Sequence, residues 1–325
     1  MKKVLILFGG NSFEHKVSCM SAKSILNNID NTKYDVTPVA IDKNNKWYIY
    51  KGDIANIEKW HNEYIIEIEN IVEFIKQFDI VFPVLHGANG EDGRLQGMLD
   101  LFNIKYVGCK TLPSAVCMDK IFSKYIFNYL NIPQIPFTEV TNDISINDII
   151  SEINFPMIVK PANGGSSIGI NKVNNKKELK KAIKEAYKYD NKVLVEKYVI
   201  ARELECAVLV DKNIKVSNVG EIKAANEFYD YNAKYENNKS YTIIPADLPD
   251  SVVTQIQEYA KKAFIGTNAS SLSRVDFFYD EIYNEIYLNE INTMPGFTEI
   301  SMYPQLFINE GYTYKELINI LIENA

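Results

Sequence analysis

The sequence predicts an α/β protein that opens on a parallel layer and continues, past residue 110, in α+β pieces. Three observations carry this. The apolar run Lys3-Val-Leu-Ile-Leu-Phe8 ends abruptly at Gly9-Gly10 and is followed by a helix-patterned stretch. A second such run, Ile80–Leu85, gives way to a glycine-rich loop, 87–93, and another helical pattern. Beyond residue 200, strand-like segments dominate. Strand, glycine turn and helix in succession mark an open layer whose function sits at the strand C-termini.

In chain order, Lys3–Phe8 reads as a buried strand and Gly9-Gly10-Asn11 as its turn. Ser12 is a candidate N-cap for a helix over residues 14–28. Strands are expected at 35–41 and 80–85, and a helix around Gln96, Met98 and Leu99. A helix over 118–130 carries Lys120 and Lys124 and stops before Pro133. Residues 155–160 form a strand that enters Pro161-Ala-Asn-Gly-Gly-Ser-Ser-Ile-Gly169, and 193–199 form another. Between them, lysines at 176, 177, 180, 181 and 184 recur at helical spacing with Glu178 and Glu185 among them, as on a solvated face. Later strands fall at 205–210, 275–279 and 286–292, with helices at 251–264 and 314–323. At 325 residues the chain is long for one compact unit, so two or three subdomains are expected.

Charge and composition exclude several classes. With 42 acidic against 35 basic residues, net −7, the chain lacks the cationic excess that polyphosphate backbones require, so no nucleic-acid partner is expected. No apolar stretch approaches the ~20 residues of a membrane helix, and Val4–Phe8 is too short for a signal core. The four cysteines form no CxxC pair, and with only three histidines no zinc site is expected. A cytoplasmic protein without a membrane partner is expected.

The loop 163–169 can be read in two ways. Its glycines let backbone N–H groups approach phosphate oxygens, and its two serines add donors, but a plain hairpin turn accounts for it equally well. It is no Walker A loop, since GxxxxGK[ST] occurs nowhere, and Gly9-Gly10 is no GxGxxG turn. The two C-terminal strands say more. Arg274 and Asp276 share one face of their strand, as Glu290 and Asn292 do on theirs, and the connector 280–285 is short enough for an antiparallel hairpin. Oxygens of Asp276, Glu290 and Asn292 would then converge as hard ligands suited to Mg²⁺. A surface ion pair of Arg274 with a carboxylate is the simpler alternative, and it leaves the Glu-x-Asn pair unexplained. Gly296, in Thr293-Met-Pro-Gly296, can offer a bare N–H to an oxyanion or merely close a turn. Glu14, in the first turn of a helix, can bind an ammonium or simply cap.

These stretches occur in a family order. Ser12–Ser18, Val84-Leu-His-Gly87 with Gly90-Glu-Asp-Gly93, Met118-Asp-Lys120, Val159-Lys-Pro161 with Gly165-Ser-Ser-Ile-Gly169, Glu227–Tyr235, Arg274-Val-Asp276 and Asn289–Gly296 together resemble the D-alanine–D-alanine ligases of the ATP-grasp superfamily. The likeness runs from Val4 to the last helix. It implies an ATP-grasp fold preceded by a Rossmann-like N-terminal domain: residues 1–110 as the N-terminal α/β domain, 111–199 as a central lid and 200–325 as the C-terminal catalytic domain. ATP would be the co-substrate, its phosphates held by Lys120 and Lys160 under a loop carrying Ser167. Glu196, Lys197 and Val199 would line the adenine slot, Glu203 the ribose, and Lys234 would reach the γ-phosphate. Asp276, Glu290 and Asn292 would bind two Mg²⁺, for which Mn²⁺ could stand in. Glu14 would take the ammonium of the first D-alanine, with His86 nearby and Ser166 and Tyr235 completing a hydrogen-bonded group. Ser301 and Met302 would meet the second D-alanine, and Arg274 with the Gly296 N–H would stabilise the tetrahedral oxyanion. A homodimer that makes the dipeptide for peptidoglycan is the corresponding expectation.

The sequence departs from the family pattern at Lys16, commonly Glu, at Gly164, commonly larger, and in the connector 280–285, which lacks an Asp-Gly turn. Two rivals remain at this level. One is a D-alanine–D-serine or D-alanine–D-lactate ligase; Ala233-Lys234-Tyr235 speaks against the lactate type and Glu14-His15 against the serine type. The other, of a different class, is an inactive nucleotide-binding regulatory protein on the same fold.

Overall fold

The computed structural model describes residues 1–223 and 241–325. Three sheets organise them. The first has the order β4-β3-β2-β1-β5, from β1 (Lys2–Gly9), β2 (Tyr34–Ile41), β3 (Trp47–Tyr50), β4 (Ile65–Glu67) and β5 (Ile80–Pro83). β1 lies between β2 and β5 and is parallel to both. Val4 through Phe8 are fully buried, which is why β1 reads as an unbroken apolar run rather than an alternating one. Gly9 and Gly10 take positive φ, +91° and +84°, and turn the chain into α1 (His15–Asn28).

Ser12 does not cap that helix. The N-cap is Glu14, without a side-chain cap bond, because the helix starts three residues further on. Ser12 Oγ instead accepts the Glu14 N–H at 3.1 Å and donates to His86 O at 2.8 Å, stitching the β1 loop to the β5 loop. β3 and β4 extend the sheet in antiparallel fashion. After α2 (Ile71–Ile75) and β5 comes α3 (Arg94–Leu101).

The expected helix over 118–130 is in fact the second of two. α4 (Thr111–Met118) and α5 (Lys120–Tyr129) are separated by Asp119, whose backbone is extended. Its carboxylate accepts the N–H groups of Ile121 (3.0 Å) and Phe122 (3.2 Å), capping α5, and pairs with Lys192 at 2.6 Å. Pro113, in the first turn of α4, blocks no helical bond there.

The central sheet, β6-β9-β7-β8, is wholly antiparallel: β6 (Phe137–Glu139), β7 (Met157–Pro161), β8 (Asn171–Val173) and β9 (Val193–Lys197). The glycine loop joins β7 to β8. α6 (Ile146–Glu152) and α7 (Lys176–Ala186) cover the sheet and close a small core with Met157, Val159, Leu179, Ile183 and Val195. The lysines of α7 point to solvent while Leu179, Ala182, Ile183 and Ala186 are buried.

The third sheet, β12-β11-β10-β13-β14, comprises β10 (Arg202–Val210), β11 (Ile214–Lys223), β12 (Tyr241–Ile243), β13 (Leu272–Asp280) and β14 (Glu285–Asn292). α8 (Asp250–Gly266) packs on one face, over a core that also takes in Cys117, Phe127 and Ile132 from the α4–α5 segment. On its other face, α9 (Met302–Asn309) and α10 (Tyr314–Glu323) complete a core shared with the first sheet: Val4, Ile6 and Phe8 lie in one cluster with Ala207, Leu209, Phe297, Phe307 and Leu317. The first and third sheets are thus one body. All four cysteines are free and buried within it. Among the described residues no helix is long and apolar enough to cross a membrane.

Candidate active site

The body and the central module meet at two adjoining cavities of about 320 and 360 Å³. Lys120, Gly165, Ser166, Glu205 and Glu290 line both, so they are two rooms with one shared wall. Every described residue singled out from the sequence lines one or the other. Glu14, His86, Arg274, Asn292, Gly296, Ser301 and Met302 face the first. Lys160, Ser167, Glu196, Lys197, Val199, Glu203 and Asp276 face the second. Lys234 and Tyr235 lie outside the described residues.

In the first cavity, Glu14 Oε1 accepts the Ser166 hydroxyl at 2.8 Å, a contact from the body to the glycine loop. The loop reaches it through left-handed backbone at Ser166 (φ +53°) and Ser167 (φ +58°). Gly87 is obligatory opposite: its φ is +73°, and a Cβ there would sit 2.6 Å from Glu14 Oε2. His86 is buried with both ring nitrogens engaged, Nδ1 to Met294 O and Nε2 to Ser21 Oγ, each at 2.9 Å. Burial holds its pKa below the usual imidazole value, against the pull of Glu14. Glu91 accepts the Gly87 N–H at 2.6 Å and the Met294 N–H at 3.0 Å. Burial, and then the neighbouring Glu14, push its carboxyl up to about 8.

In the hairpin β13–β14, Arg274 stands opposite Asn292 and Asp276 opposite Glu290, with the register slipping just after Asp276. The Arg274 guanidinium clasps Asp276 through Nε and Nη2, both at 2.7 Å, and pairs with Glu205 at 3.0 Å. Burial disfavours its charge, but Asp276 and Glu205 outweigh that and raise its pKa well above normal. Two carboxylates and an amide on neighbouring strands have the donor chemistry a Mg²⁺ ion takes, leaving positions for phosphate oxygens and water. Among the described residues no group of three or more His, Cys, Asp or Glu is placed to hold a metal ion without such an amide and outside oxygens. Asp276 Oδ2 also accepts from the Asn292 amide at 2.9 Å. An arriving cation would therefore take Asp276 from Arg274, for which Glu205 is the remaining counter-ion.

In the second cavity the lysine Nζ atoms are arranged around Glu196, which binds Lys124 at 2.8 Å and Lys160 at 2.6 Å. Burial would raise this carboxyl, but the two ammonium groups hold it down at about 2. Burial pulls the Lys124 pKa down against the pull of Glu196, and of the two lysines it is Lys160 that lines the cavity. Lys120 Nζ donates to Gly164 O at 2.7 Å and lies 3.6 Å from Glu290, bridging the glycine loop and the hairpin.

Four residues of the site were not legible in the sequence. Lys124, 1% exposed, sits in a helix whose pattern gives no sign of a buried cation. Ser21, Glu91 and Glu205 acquire their partners only through tertiary contacts; Glu91 alone had a signal, within Gly90-Glu-Asp-Gly93.

Comparison with known proteins follows the same division. Residues 3–109 match the family model described as D-ala D-ala ligase N-terminus, and residues 126–323 that described as D-ala D-ala ligase C-terminus. The D-alanine–D-alanine ligase of a Thermoanaerobacter strain is 46% identical, covering 99% of this chain and 97% of its own. That of Clostridium acetobutylicum is 44% identical, covering 100% and 98%. Among solved structures, the VanG D-Ala:D-Ser ligase of Enterococcus faecalis superposes with a TM-score of 0.90 at 35% identity, covering 99% of this chain and 98% of that one. The D-alanine–D-alanine ligase of Coxiella burnetii gives 0.83 at 32%, covering 99% and 93%.

Proposed function

The chain belongs to the D-alanine–D-alanine ligase family and has its ATP-grasp fold, and from that premise we propose how its two cavities divide the work. The reaction is ATP-dependent ligation: ATP and two D-alanine molecules yield D-alanyl-D-alanine, ADP and phosphate, the dipeptide serving peptidoglycan synthesis. The observation that carries this reading is the shared wall. A room lined by Lys120, Lys160 and Lys197 beside several carboxylates, fit for a nucleotide and its cations, opens, at Lys120, Ser166 and Glu290, onto a room with Glu14 at one end and the Arg274 guanidinium at the other.

Glu14 would bind the ammonium of the first D-alanine and present its carboxylate to the γ-phosphate, which Lys120, Lys160 and Lys234 steady. Glu196, Lys197 and Val199 would line the adenine slot and Glu203 the ribose, with Glu196 also holding Lys124 and Lys160 by ion pairs. When bound, two Mg²⁺ ions held by Asp276, Glu290 and Asn292, or Mn²⁺ in their place, would neutralise charge on the transferring phosphoryl group. The carboxylate oxygen attacks phosphorus and ADP leaves, giving D-alanyl phosphate. The second D-alanine, held at Ser301 and Met302, attacks the acyl carbon as a free amine. Arg274 and the Gly296 N–H would stabilise the resulting oxyanion, each donor worth roughly 3 kcal/mol, until phosphate departs. Ser166 and Tyr235 would close over the intermediate and keep water from hydrolysing it.

In this reading the lid between domains 1–110 and 200–325 is the part of residues 111–199 beyond the α4–α5 segment, which packs into the third-sheet core, and the enzyme is a cytoplasmic homodimer. A second reading, with D-serine as the second substrate, is favoured by the VanG superposition. Mass analysis of the product from ATP, Mg²⁺ and D-alanine, alone and with D-serine or D-lactate in competition, decides between them. D-alanyl-D-alanine as the dominant product supports the first reading, and a mixed product replaces it with the second. No phosphate release with any D-amino acid would leave a silent nucleotide-binding protein.

A further inference from the structure

The turn Thr293–Thr298 leaves β14 and carries Gly296, whose N–H has no acceptor among the described residues. Its neighbours are all accounted for. The Met294 N–H goes to Glu91 Oε1 at 3.0 Å, and Met294 O receives His86 Nδ1 at 2.9 Å. Pro295 has no N–H to give. The Phe297 N–H goes to Ser21 Oγ at 3.1 Å, and Phe297 O receives the Tyr314 hydroxyl.

The direction of these bonds is fixed. A carbonyl only accepts, so His86 Nδ1 carries the proton facing Met294 O. Burial keeps the ring neutral, so Nε2 is a lone pair and the Ser21 hydroxyl must donate to it. That leaves the Ser21 oxygen to accept from Phe297. The chain of bonds runs one way, from Phe297 N–H through Ser21 and His86 to Met294 O, and all four residues are buried. It clamps both flanks of the Gly296 N–H.

Ser21 lies two turns along α1 from Glu14, and Glu91 holds Gly87, which packs against the Glu14 carboxylate. The ammonium-binding end and the oxyanion end of the first cavity are therefore both referenced to α1 and the 86–91 loop. We propose that Ser21 and Glu91 are positioning residues that hold the Gly296 N–H where the tetrahedral oxyanion forms, a role that rests on the ligase reading above. A donor preorganised in this way acts in the transition state and not in ground-state binding.

The test is steady-state kinetics of Ser21→Ala and Glu91→Gln beside the parent enzyme, with ADP affinity, thermal melting and affinity for a phosphinate dipeptide that mimics the tetrahedral adduct. We expect kcat to fall about tenfold to a hundredfold, the phosphinate to weaken by a similar factor, and KM for ATP and ADP affinity to stay within about twofold. Folded variants with unchanged kcat and unchanged phosphinate affinity overturn the proposal, whatever their melting temperature. Should Ser21→Ala not fold, Ser21→Thr and Ser21→Val carry the test: they match in shape, and only the hydroxyl-bearing Thr variant should keep turnover. Equal activity of the two overturns it. A parent enzyme that makes no dipeptide refutes the ligase reading itself, whereas an active parent with unaffected variants refutes only the clamp.

Discussion

The central module and the body formed by the first and third sheets are held together by different kinds of contact. Within the body, the first sheet, the third sheet and the last two helices share one apolar core, in which Phe8, Phe297, Phe307 and Leu317 are fully buried. The central module has its own core and touches the body through a small cluster, Ile121, Ala162 and Leu194, and a set of polar bonds. Those bonds are Ser166 to Glu14, Lys120 to Gly164 O, Lys192 to Asp119 and Lys124 to Glu196. Apolar burial stabilises an arrangement wherever it forms, but polar bonds at a cleft can be exchanged for bonds to water or ligand at little net cost. The difference teaches which joint can open. The body is joined by a shared apolar core, whereas the module is joined to it mainly by contacts that water or a ligand can replace.

The largest effect expected from this contrast is at Arg274. It belongs to the body, whereas much of the second cavity, proposed for the nucleotide, belongs to the module, so Arg274→Ala should lose about 10²–10³-fold in turnover while nucleotide affinity stays within a few-fold. Nucleotide titration beside kinetics checks this, and an equal loss of both would dissolve the division of labour. Next come the cores. Leu317→Ala and Leu179→Ala should each cost roughly 2–5 kcal/mol. The first should lower hydrogen-exchange protection across the first and third sheets together, the second only in residues 137–197. Uniform loss in both variants would mean that the module is not an independent unit.

The smallest effect is an acid one. The Glu196 carboxyl is held at about 2, below its ordinary 4.5, because Lys124 and Lys160 outweigh its burial. A depressed carboxyl pKa contributes stability that is full above the unfolded value and fades as pH falls toward 2, on the order of 3 kcal/mol in all. Denaturant midpoints between pH 7 and 2.5 should show that slope in the parent and a shallower one in Glu196→Gln. Identical slopes would remove the triad from the joint.

The same contrast governs what could be read beforehand. β1 was legible because a strand buried on both faces leaves a continuous apolar run, and the 314–323 helix because its apolar residues keep helical spacing. The β13–β14 hairpin was legible because alternation places Arg274 with Asp276 and Glu290 with Asn292. β3, β4, β6 and β12, of three or four residues, are too short to carry a period. Asp119 gave no sign that it would end one helix and begin another, since an Asp inside a helical pattern reads equally well as an exposed residue. The polar joint was the least legible part. Glu196 and Lys124 are 72 positions apart, and only the fold makes them partners.

The buried cysteines give the molecule one practical property. Burial pushes the thiols of Cys19, Cys109 and Cys206 up to about 12, and that of Cys117 higher still. Cys19 and Cys206 are fully buried and Cys109 nearly so, and Cys117 shows only a small face on the wall of the first cavity, so alkylating reagents and maleimide dyes should react slowly with the native protein. A single cysteine introduced on the solvent side of α7, and another on the exposed rim of the first sheet, would then take fluorophores on an otherwise slow background. The chain comes ready for a distance ruler across the joint between module and body.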